Sequence, residues 1–395
     1  MENQRRMLAT DTYAVEAVEY RHHLHTHPEP SFEEHETQRY IMERLRGFGL
    51  EPRPIAETGV TVTVSGTSGT AAGKVLLLRA DIDALRLTEE TGLPFASQNA
   101  GVMHACGHDG HTATLLAVAH WLVDHRDQFG GTVKLLFQPA EEVSPGGAEP
   151  CVKEGILQNP DVTFVFGMHL WNPLPFGQVG LRAGPLLAEA DRFELTVTGK
   201  GTHAAQPHLG ADPIVAASHI ITAIQTIVSR ETNPLESLVV TVGTIQGGSA
   251  FNIIPESVHM TGTLRALSPE AAERAADSLR RIVTLTAQAL GTTAELDYEV
   301  GYPPVINGVE SVAFLRPILE QVVGADNIVL PEISMGGEDF AYYLQHVPGA
   351  FVLMGTRNEA KGLTAPHHNP TFTFDEDIFP IAIAVFVAVI RGYLS

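Results

Sequence analysis

Residues 74–83, KVLLLRADID, form an apolar run that passes directly into two aspartates. A continuous apolar run that ends in polar residues predicts a strand buried on both faces, as in the sheet of an α/β protein. Two later segments follow the same pattern, VKLLFQPAEE at residues 133–142 and VTFVFGMH at residues 162–169. Because ligands bind beyond the carboxyl ends of strands in open α/β sheets, we expect the three polar ends to converge on one site.

The segments around these strands alternate between helical and extended patterns. Residues 12–50 and Thr112–Val123 carry apolar residues at three- and four-residue spacing, which predicts helices. Val60–Val64 predicts another strand, and the small residues from Ser65 to Gly73 predict an exposed hairpin loop. The apolar run Ile378–Ile390 is too short to span a membrane and predicts a buried helix. We therefore expect an α/β fold, with a main domain built on a mainly parallel mixed sheet flanked by helices.

The order of predicted helices and strands changes in residues 192–297. Their patterns predict the order βαββαβ, with elements at Arg192–Thr198, Pro213–Ser229, Ser237–Ile245, Ser257–Leu267, Pro269–Leu290 and Ala294–Val300. This order is typical of a small α+β unit that folds by itself. The sequence thus predicts an inserted domain at residues 186–298, and a discontinuous catalytic domain at residues 1–185 and 299–395.

Charge and cysteine content exclude several classes of function. The chain has 25 basic and 46 acidic residues, a net charge of −21, which disfavours binding to nucleic acid or to an anionic membrane. Its two cysteines, Cys106 and Cys151, make no disulfide scaffold and are typical of a reducing compartment. The first twenty residues lack the apolar core of a signal peptide. We expect a cytoplasmic protein with neither a nucleic-acid nor a membrane partner.

The segment MHACGHDGH at residues 103–111 has the chemistry of a metal site. Cys106 and His108 are two residues apart and point to one side in extended or loop backbone. A thiolate with an imidazole suits zinc or a similar borderline metal, and Asp109 is placed to support a neighbouring histidine. The alternative is a buried structural cysteine beside helix-capping residues. The three polar strand ends favour the metal hypothesis.

Two further pairs of residues complete the candidate site. Glu141 and Glu142 are adjacent, so their side chains are expected to diverge, one as a metal ligand and the other as a general base. A solvated acidic turn is the alternative for this pair. The segment APHHNP at residues 365–370 offers His367 or His368 as a last ligand, and spacing alone leaves the choice open.

The histidine-rich segment RHHLHTHPE at residues 21–29 also suggests metal binding. It lies at the end of a predicted helix and has no carboxylate at ligand spacing. Helix-terminus and packing roles are therefore favoured for it. His104 and His111 have suitable spacing as ligands but rank below Cys106 and His108.

Taken together, these motifs resemble one known family. It is the co-catalytic metal amidohydrolase and peptidase family of aminoacylases, hippurate hydrolase, plant auxin-conjugate hydrolases and a glutamate-releasing carboxypeptidase. The resemblance is nearest to the hippurate and auxin-conjugate branch. The matching segments run in the family's order from residue 21 to residue 377: RHHLHTHPEPSFEEHET, LLLRADIDAL, GVMHACGHDGHT, LFQPAEE, GMH, GKGTHAAQPHLGADPI, FNIIP, GTLRA, MGGEDF and HHNPTFTFDED.

The resemblance implies a ligand set and a cofactor. One or two divalent ions (zinc, manganese, cobalt or nickel) would be held by Cys106, His108, Glu142, His169 and His368. In this branch the last ligand is the histidine directly before a small polar residue and proline, which selects His368 over His367. Cys106 marks the branch and would bridge two metals.

The resemblance also implies roles for residues that do not bind metal. Glu141 is similar to the general base of the family, and Asp83 to the aspartate that orients a metal ligand. His203 is similar to the histidine that polarises the scissile carbonyl, often in the partner subunit's site. Asn252 and Arg265 are similar to residues that hold the substrate carboxylate and the tetrahedral oxygen.

The implied architecture is a catalytic domain with an inserted dimerisation or lid domain, which predicts a homodimer or higher oligomer. Two residues depart from the branch's pattern. Arg86 stands where proline is usual, and Pro30 where leucine is usual, so Arg86 is a candidate for altered specificity.

The function we expect is metal-dependent hydrolysis of the amide bond of N-acyl-L-amino acids, such as N-acetyl or N-benzoyl derivatives. The nearest alternative is a metallo-carboxypeptidase or dipeptidase acting on short peptides. Two more distant alternatives are a cysteine hydrolase with Cys106 as nucleophile and His108 as base, and a non-catalytic metal-binding or carrier protein. A chelator separates the cysteine hydrolase from the metal enzyme.

Overall fold

The structure is a computed structural model, and it describes residues 10–395. The chain forms two compact units. The first contains the residues up to Leu186 together with Ile306–Glu332 and Asp339–Ser395, and the second contains Leu187–Val305 and Ile333–Glu338.

The first unit is built on an eight-stranded sheet. Its strands are β1 (Arg53–Ile55), β2 (Gly59–Ser65), β3 (Val75–Asp81), β4 (Thr132–Gln138), β5 (Phe164–Pro175), β6 (Val179–Gly180), β15 (Ile328–Val329) and β16 (Gly349–Arg357). The order across the sheet is β1-β2-β4-β3-β5-β16-β6-β15. The four central strands, β4, β3, β5 and β16, run parallel, and β2 pairs antiparallel with β4. The predicted mainly parallel mixed sheet is confirmed.

Helices cover this sheet. They are α1 (Asp11–Thr26), α2 (His35–Gly47), α3 (His108–Asp124), α4 (Ala148–Lys153), α7 (Val309–Val323), α8 (Ala341–Leu344) and α9 (Phe379–Tyr393). Every residue of β3 is buried, and the apolar side chains of α3 and α9 pack in the same core as β2 to β5. Burial of the apolar run after Ile378 is confirmed. Within residues 10–395, no helix is long and apolar enough to cross a membrane.

The second unit contains a four-stranded antiparallel sheet and two helices. Its elements are β8 (Glu189–Thr198), α5 (Pro213–Thr226), β10 (Leu238–Gly247), β12 (Ser257–Ala266), α6 (Pro269–Ala289) and β13 (Thr293–Tyr302). The order of strands across the sheet is β10-β12-β8-β13. The apolar side of the sheet packs against α5 and α6. The chain order is the βαββαβ order predicted from sequence. The described chain also contains two short ribbons, β9 (Thr202–His203) with β11 (Ile253–Ile254), and β7 (Gly184–Leu187) with β14 (Val305–Asn307).

Three local predictions need correction. Residues 12–50 form two helices, because Pro28 and Pro30 lie in the break between α1 and α2. The loop after Ser65 is exposed but is no hairpin, since β4 lies between β2 and β3 in the sheet. β5 runs past the predicted end at Phe166 to Pro175, because β16 pairs with it along that length. His169 therefore lies within a strand.

Candidate metal centre

Two neighbouring strands end in polar residues near the start of helix α3, and His169, which lies within β5, is near the same point. Asp81 is the last residue of β3, Gln138 is the last residue of β4, and α3 begins at His108. Gly107, directly before the helix, has a φ of +95°, a left-handed conformation that residues with a side chain rarely adopt. This turn separates Cys106 in the loop from His108 on the helix.

The five predicted metal ligands lie together in the first unit. Cys106, His108 and His169 offer ligand atoms that are all within 4.8 Å of one another, and so do Cys106, Glu142 and His368. Cys106 belongs to both groups, and its Sγ is 3.4 Å from Nε2 of His169. Thiolate, imidazole and carboxylate are ligands that borderline divalent metals accept.

Two buried atoms in this cluster have no hydrogen-bond partner within the described chain, Nε2 of His108 and Oε1 of Glu142. They are 3.8 Å apart, and Nε2 of His368 is 3.3 Å from the same Glu142 oxygen without hydrogen-bond geometry. Leaving buried polar atoms unpaired costs about 1–3 kcal/mol each. A metal ion shared by these atoms would remove that cost, so the residues fit the implied metal.

Nε2 of His169 faces the cluster and carries no proton. Its Nδ1 donates to the Leu170 carbonyl at 2.7 Å, which leaves Nε2 on the side of Cys106. Burial lowers the pKa of His169 well below its usual value, and His111 and His367 lower it further. The neutral imidazole is the form that binds metals.

Asp83 holds both His108 and the turn that carries Glu142. Its Oδ1 is 3.2 Å from Nδ1 of His108, and its Oδ2 accepts from the Ser31 hydroxyl at 2.6 Å and from the Glu142 amide at 2.9 Å. Burial would lower the pKa of His108, but Asp81 and Asp83 raise it to about 10, so a metal ion that binds Nε2 would displace a proton from this imidazole. The orienting role that the resemblance implies for Asp83 stays a prediction.

Replacing Asp83 by asparagine is expected to lower metal affinity by roughly 10–100-fold, the usual effect of losing a carboxylate behind a histidine ligand. Equilibrium dialysis with metal analysis measures the change. Ser31→Ala is the matched control, because Ser31 contacts the same carboxylate but not the histidine. Unchanged affinity in the asparagine variant would contradict the orienting role.

Glu141 and Glu142, which follow strand β4, both lie near His108. Its Nε2 is 4.0 Å from Oε2 of Glu141 and 3.8 Å from Oε1 of Glu142. Of the two, Glu142 also groups with Cys106 and His368, and the expected division into a metal ligand and a general base stays a prediction. Glu141 is buried, and therefore the expectation of a solvated acidic turn fails.

Both ring nitrogens of His111 have hydrogen-bond partners outside the five predicted ligands. Its Nε2 accepts from the Leu170 amide at 2.8 Å, so its Nδ1 carries the proton that faces Asp81 Oδ1 at 2.5 Å. Arg79 joins Asp81 to Asp339, with distances of 2.6 and 2.8 Å. Sequence reasoning missed this network. An arginine inside an otherwise apolar strand was the only indication of it.

The side chains of His367 and His368 have different neighbours. Nε2 of His367 accepts from the Asn172 amide at 3.1 Å, and burial lowers the pKa of His367 to about 3. His368 has a left-handed φ of 61°, and its Nε2 faces Glu142. The histidine of the pair that faces the cluster is thus His368.

The histidine-rich segment packs outside the cluster. His22 stacks on Phe95 with ring centroids 3.8 Å apart, and His25 donates through Nδ1 to Asp109 at 2.8 Å. Arg21 binds the same oxygen of Asp109. The expectation that Asp109 supports a neighbouring metal histidine is wrong, because this carboxylate pairs with residues of helix α1. His104 is buried, and neither of its ring nitrogens has a partner among the described residues.

The remaining predicted site residues lie in the second unit. His203 of β9 pairs with Ile253 of β11, and its neighbour Ala204 donates to the Asn252 carbonyl at 3.0 Å, so His203 and Asn252 share one ribbon. Arg265 lies on β12, where its Nη1 donates to the Leu264 carbonyl at 3.1 Å.

Of the two residues that depart from the family pattern, Arg86 lies at the surface and Pro30 takes part in a backbone bridge. Arg86 makes an exposed ion pair with Glu33, which contributes little to stability. Pro30 forms a parallel bridge with Ala84. Neither residue contacts a proposed ligand.

Comparison with known proteins shows that the chain is a metal-dependent hydrolase that acts on amides. Residues 77–392 match Peptidase family M20/M25/M40, and the chain belongs to that family. It is 42% identical to an N-acetyl-L-cysteine deacetylase of Bacillus subtilis, covering 92% of this chain and 85% of the relative. It is 38% identical to IAA-amino acid hydrolase ILR1-like 4 of Arabidopsis thaliana, covering 95% and 85%.

A solved structure supports the same assignment. The YXEP protein of Bacillus subtilis, described as a dinuclear metal binding peptidase from the M20 family, superposes with a TM-score of 0.81. It shares 35% identity with this chain, and the match covers 97% of this chain and 99% of that one. The family predicted from the motifs is confirmed.

Proposed function

We propose that this protein is a metal-dependent amidohydrolase that cleaves N-acyl-L-amino acids to a free amino acid and a carboxylate. The observation that carries the proposal is the joint cluster of Cys106, His108, Glu142, His169 and His368, with Glu141 beside it. Relatives at 38–42% identity include a deacetylase of an N-acetyl amino acid and a hydrolase of amino acid conjugates. Both named substrates are N-acyl amino acids, which supports this substrate class.

The five clustered side chains would hold one or two divalent ions (zinc, manganese, cobalt or nickel). The thiolate and imidazoles suit zinc, the imidazoles also suit nickel, and the Glu142 carboxylate suits manganese. When bound, such ions act as Lewis acids that activate water and polarise the substrate carbonyl. The description of the YXEP relative as dinuclear supports two ions.

The chain's own residues supply the proton transfers and the substrate contacts. Glu141 takes a proton from the attacking water and then gives it to the amine nitrogen of the breaking amide bond. His203 donates to the oxygen of the scissile carbonyl, a contact that typically contributes about 3 kcal/mol in the transition state. Asn252 and Arg265 hold the substrate carboxylate and the tetrahedral oxygen.

A substrate panel tests this function. Metal-loaded protein is expected to release amino acid from acetyl-, benzoyl- or indoleacetyl-amino acids, faster than from dipeptides, and a chelator is expected to stop the release. The preferred acyl group would define the sub-branch. No release from any acyl amino acid, with bound metal verified, would contradict the proposal and favour a carrier function.

A carboxypeptidase or dipeptidase is the second candidate, because both the family name and the YXEP relative refer to peptidases. Faster release from dipeptides than from acyl amino acids in the same panel would favour it. Chelator-resistant release would instead favour the cysteine hydrolase. In the structure, the nitrogen that Cys106 Sγ faces at 3.4 Å belongs to His169, not to the proposed base His108.

We also propose a cytoplasmic homodimer. Strand β10 lies at an edge of its sheet, with Val239 and Ile245 exposed, and such an edge is available for pairing with a second copy. Both cysteines are buried and free, which suits a reducing compartment. Analytical ultracentrifugation measures the oligomeric state.

A further inference from the structure

The buried carboxylate of Glu34 contacts the turn that contains Glu141, and the proposed mechanism assigns it no role. Glu34 precedes helix α2 and is fully buried. Its Oε1 accepts from the Ala140 amide at 2.7 Å, and its Oε2 accepts from the Thr58 hydroxyl at 2.6 Å. Both oxygens are therefore occupied by donors, as a buried carboxylate requires.

The residue that Glu34 holds is in an unusual conformation. Ala140 has a φ of +52°, in the left-handed region, which costs a residue with a side chain about 1–3 kcal/mol and persists only where neighbours enforce it. Here the neighbours act on both sides. Glu34 binds the Ala140 amide, and the Ala140 carbonyl accepts from the Gly147 amide at 3.1 Å.

Glu141 stands between two fixed peptide groups. The residue before it is held by Glu34, and the amide of the residue after it, Glu142, donates to Asp83 at 2.9 Å. The turn also sits tightly on β2, where a Cβ on Gly59 would lie 2.7 Å from Pro139 Cδ. The direction of the Glu141 side chain follows from the conformation of this turn.

We propose that Glu34 is a positioning residue for Glu141, acting through the left-handed Ala140. The inference rests on the proposed function, in which Glu141 transfers the proton. Burial, and Asp83 to a lesser degree, raise the pKa of Glu34 to about 7, so assays at about pH 8 keep it ionised. Misplacement of a catalytic group by about 1 Å can cost roughly 100-fold in rate.

The main variant is Glu34→Met, which conserves the buried volume but removes both acceptors. We expect kcat to fall roughly 10–100-fold, with KM within about threefold and bound metal unchanged, because Glu141 is misdirected while the ligands stay in place. Glu34→Gln keeps an acceptor for the Ala140 amide and is expected to restore most of kcat. If the methionine variant does not fold, Glu34→Asp withdraws the acceptor by one methylene and is expected to lower kcat in the same way.

Thr58→Val is the matched control. It removes the second partner of the same carboxylate and leaves the Ala140 contact intact, so it is expected to lower the melting temperature while kcat stays within about threefold. Loss of rate that follows melting temperature across all variants would overturn the positioning role. So would full kcat in both Glu34→Met and Glu34→Asp.

Glu141→Ala, assayed alongside, separates this inference from the proposed function. An inactive Glu141→Ala with a fully active Glu34→Met would overturn the inference alone. An active Glu141→Ala would overturn the proposed role of Glu141, and the inference with it.

Discussion

Replacing Glu141 by alanine is expected to lower kcat on the best N-acyl amino acid by roughly 100- to 10,000-fold, with bound metal retained. General acid–base catalysis by one positioned side chain contributes a factor of this size. Glu141 is buried beside the ligand cluster, 4.0 Å from His108 Nε2, so its removal takes away the proton carrier without removing a proposed ligand. Steady-state kinetics combined with metal analysis measures both quantities.

Two further variants distinguish the loss of proton transfer at Glu141 from the loss of bound metal. Glu141→Gln has the same shape but cannot accept the proton, so it should be about as inactive as alanine. Glu142→Gln changes a proposed ligand, whose Oε1 is 3.8 Å from His108 Nε2, and should lose metal as well as activity. A Glu141→Ala enzyme that keeps most of its turnover while binding metal would contradict the mechanism.

Removing divalent metal with a chelator is expected to abolish turnover and to lower the melting temperature. The unpartnered Nε2 of His108 and Oε1 of Glu142 would remain buried without the cation that compensates them. A ligand present at about one hundred times its dissociation constant stabilises the folded state by about 2.7 kcal/mol, and chelation removes that contribution. Differential scanning calorimetry and an activity assay follow the two effects.

Readdition of single metals provides the control for chelation. Zinc, manganese, cobalt and nickel are each expected to restore the melting temperature, and the ion that also restores full turnover identifies the effective cofactor. The Cys106→Ala variant removes the proposed ligand that is common to both groups of the cluster and should show no such recovery. Full activity in a chelated sample verified free of metal would contradict a metal-dependent reaction.

Local sequence patterns predicted the strands and helices that are determined by runs of apolar residues. The apolar run before Asp81 is buried as strand β3, and the run after Ile378 is buried as helix α9. Because β3 and β4 are parallel neighbours, their polar ends Asp81 and Gln138 lie side by side as predicted, whereas β5 continues past His169 to Pro175. The hairpin predicted after Ser65 failed because the order of strands in a sheet depends on pairing between distant segments.

The missed contacts of Asp109 and Glu34 join residues that are far apart in the sequence. Asp109 pairs with Arg21 and His25, more than eighty positions earlier, instead of with the histidine beside it. Glu34 reaches Ala140, 106 positions away, and nothing in the pattern around either residue indicates the contact. Hydrogen bonds of this kind follow from the three-dimensional arrangement of the turns, which periodicity and spacing do not specify.

The position of β16 in the central sheet has a consequence for biosynthesis. This strand pairs with β5, although roughly 180 residues of chain separate the end of β5 from the end of β16. At about 5–20 residues per second, a ribosome needs roughly 10–40 s to supply it. During that interval the nascent chain exposes an unpaired apolar edge on β5, and His368 has yet to be translated. We therefore expect chaperone binding to ribosome-bound chains that stop before residue 349, and metal uptake only after His368 has been synthesised.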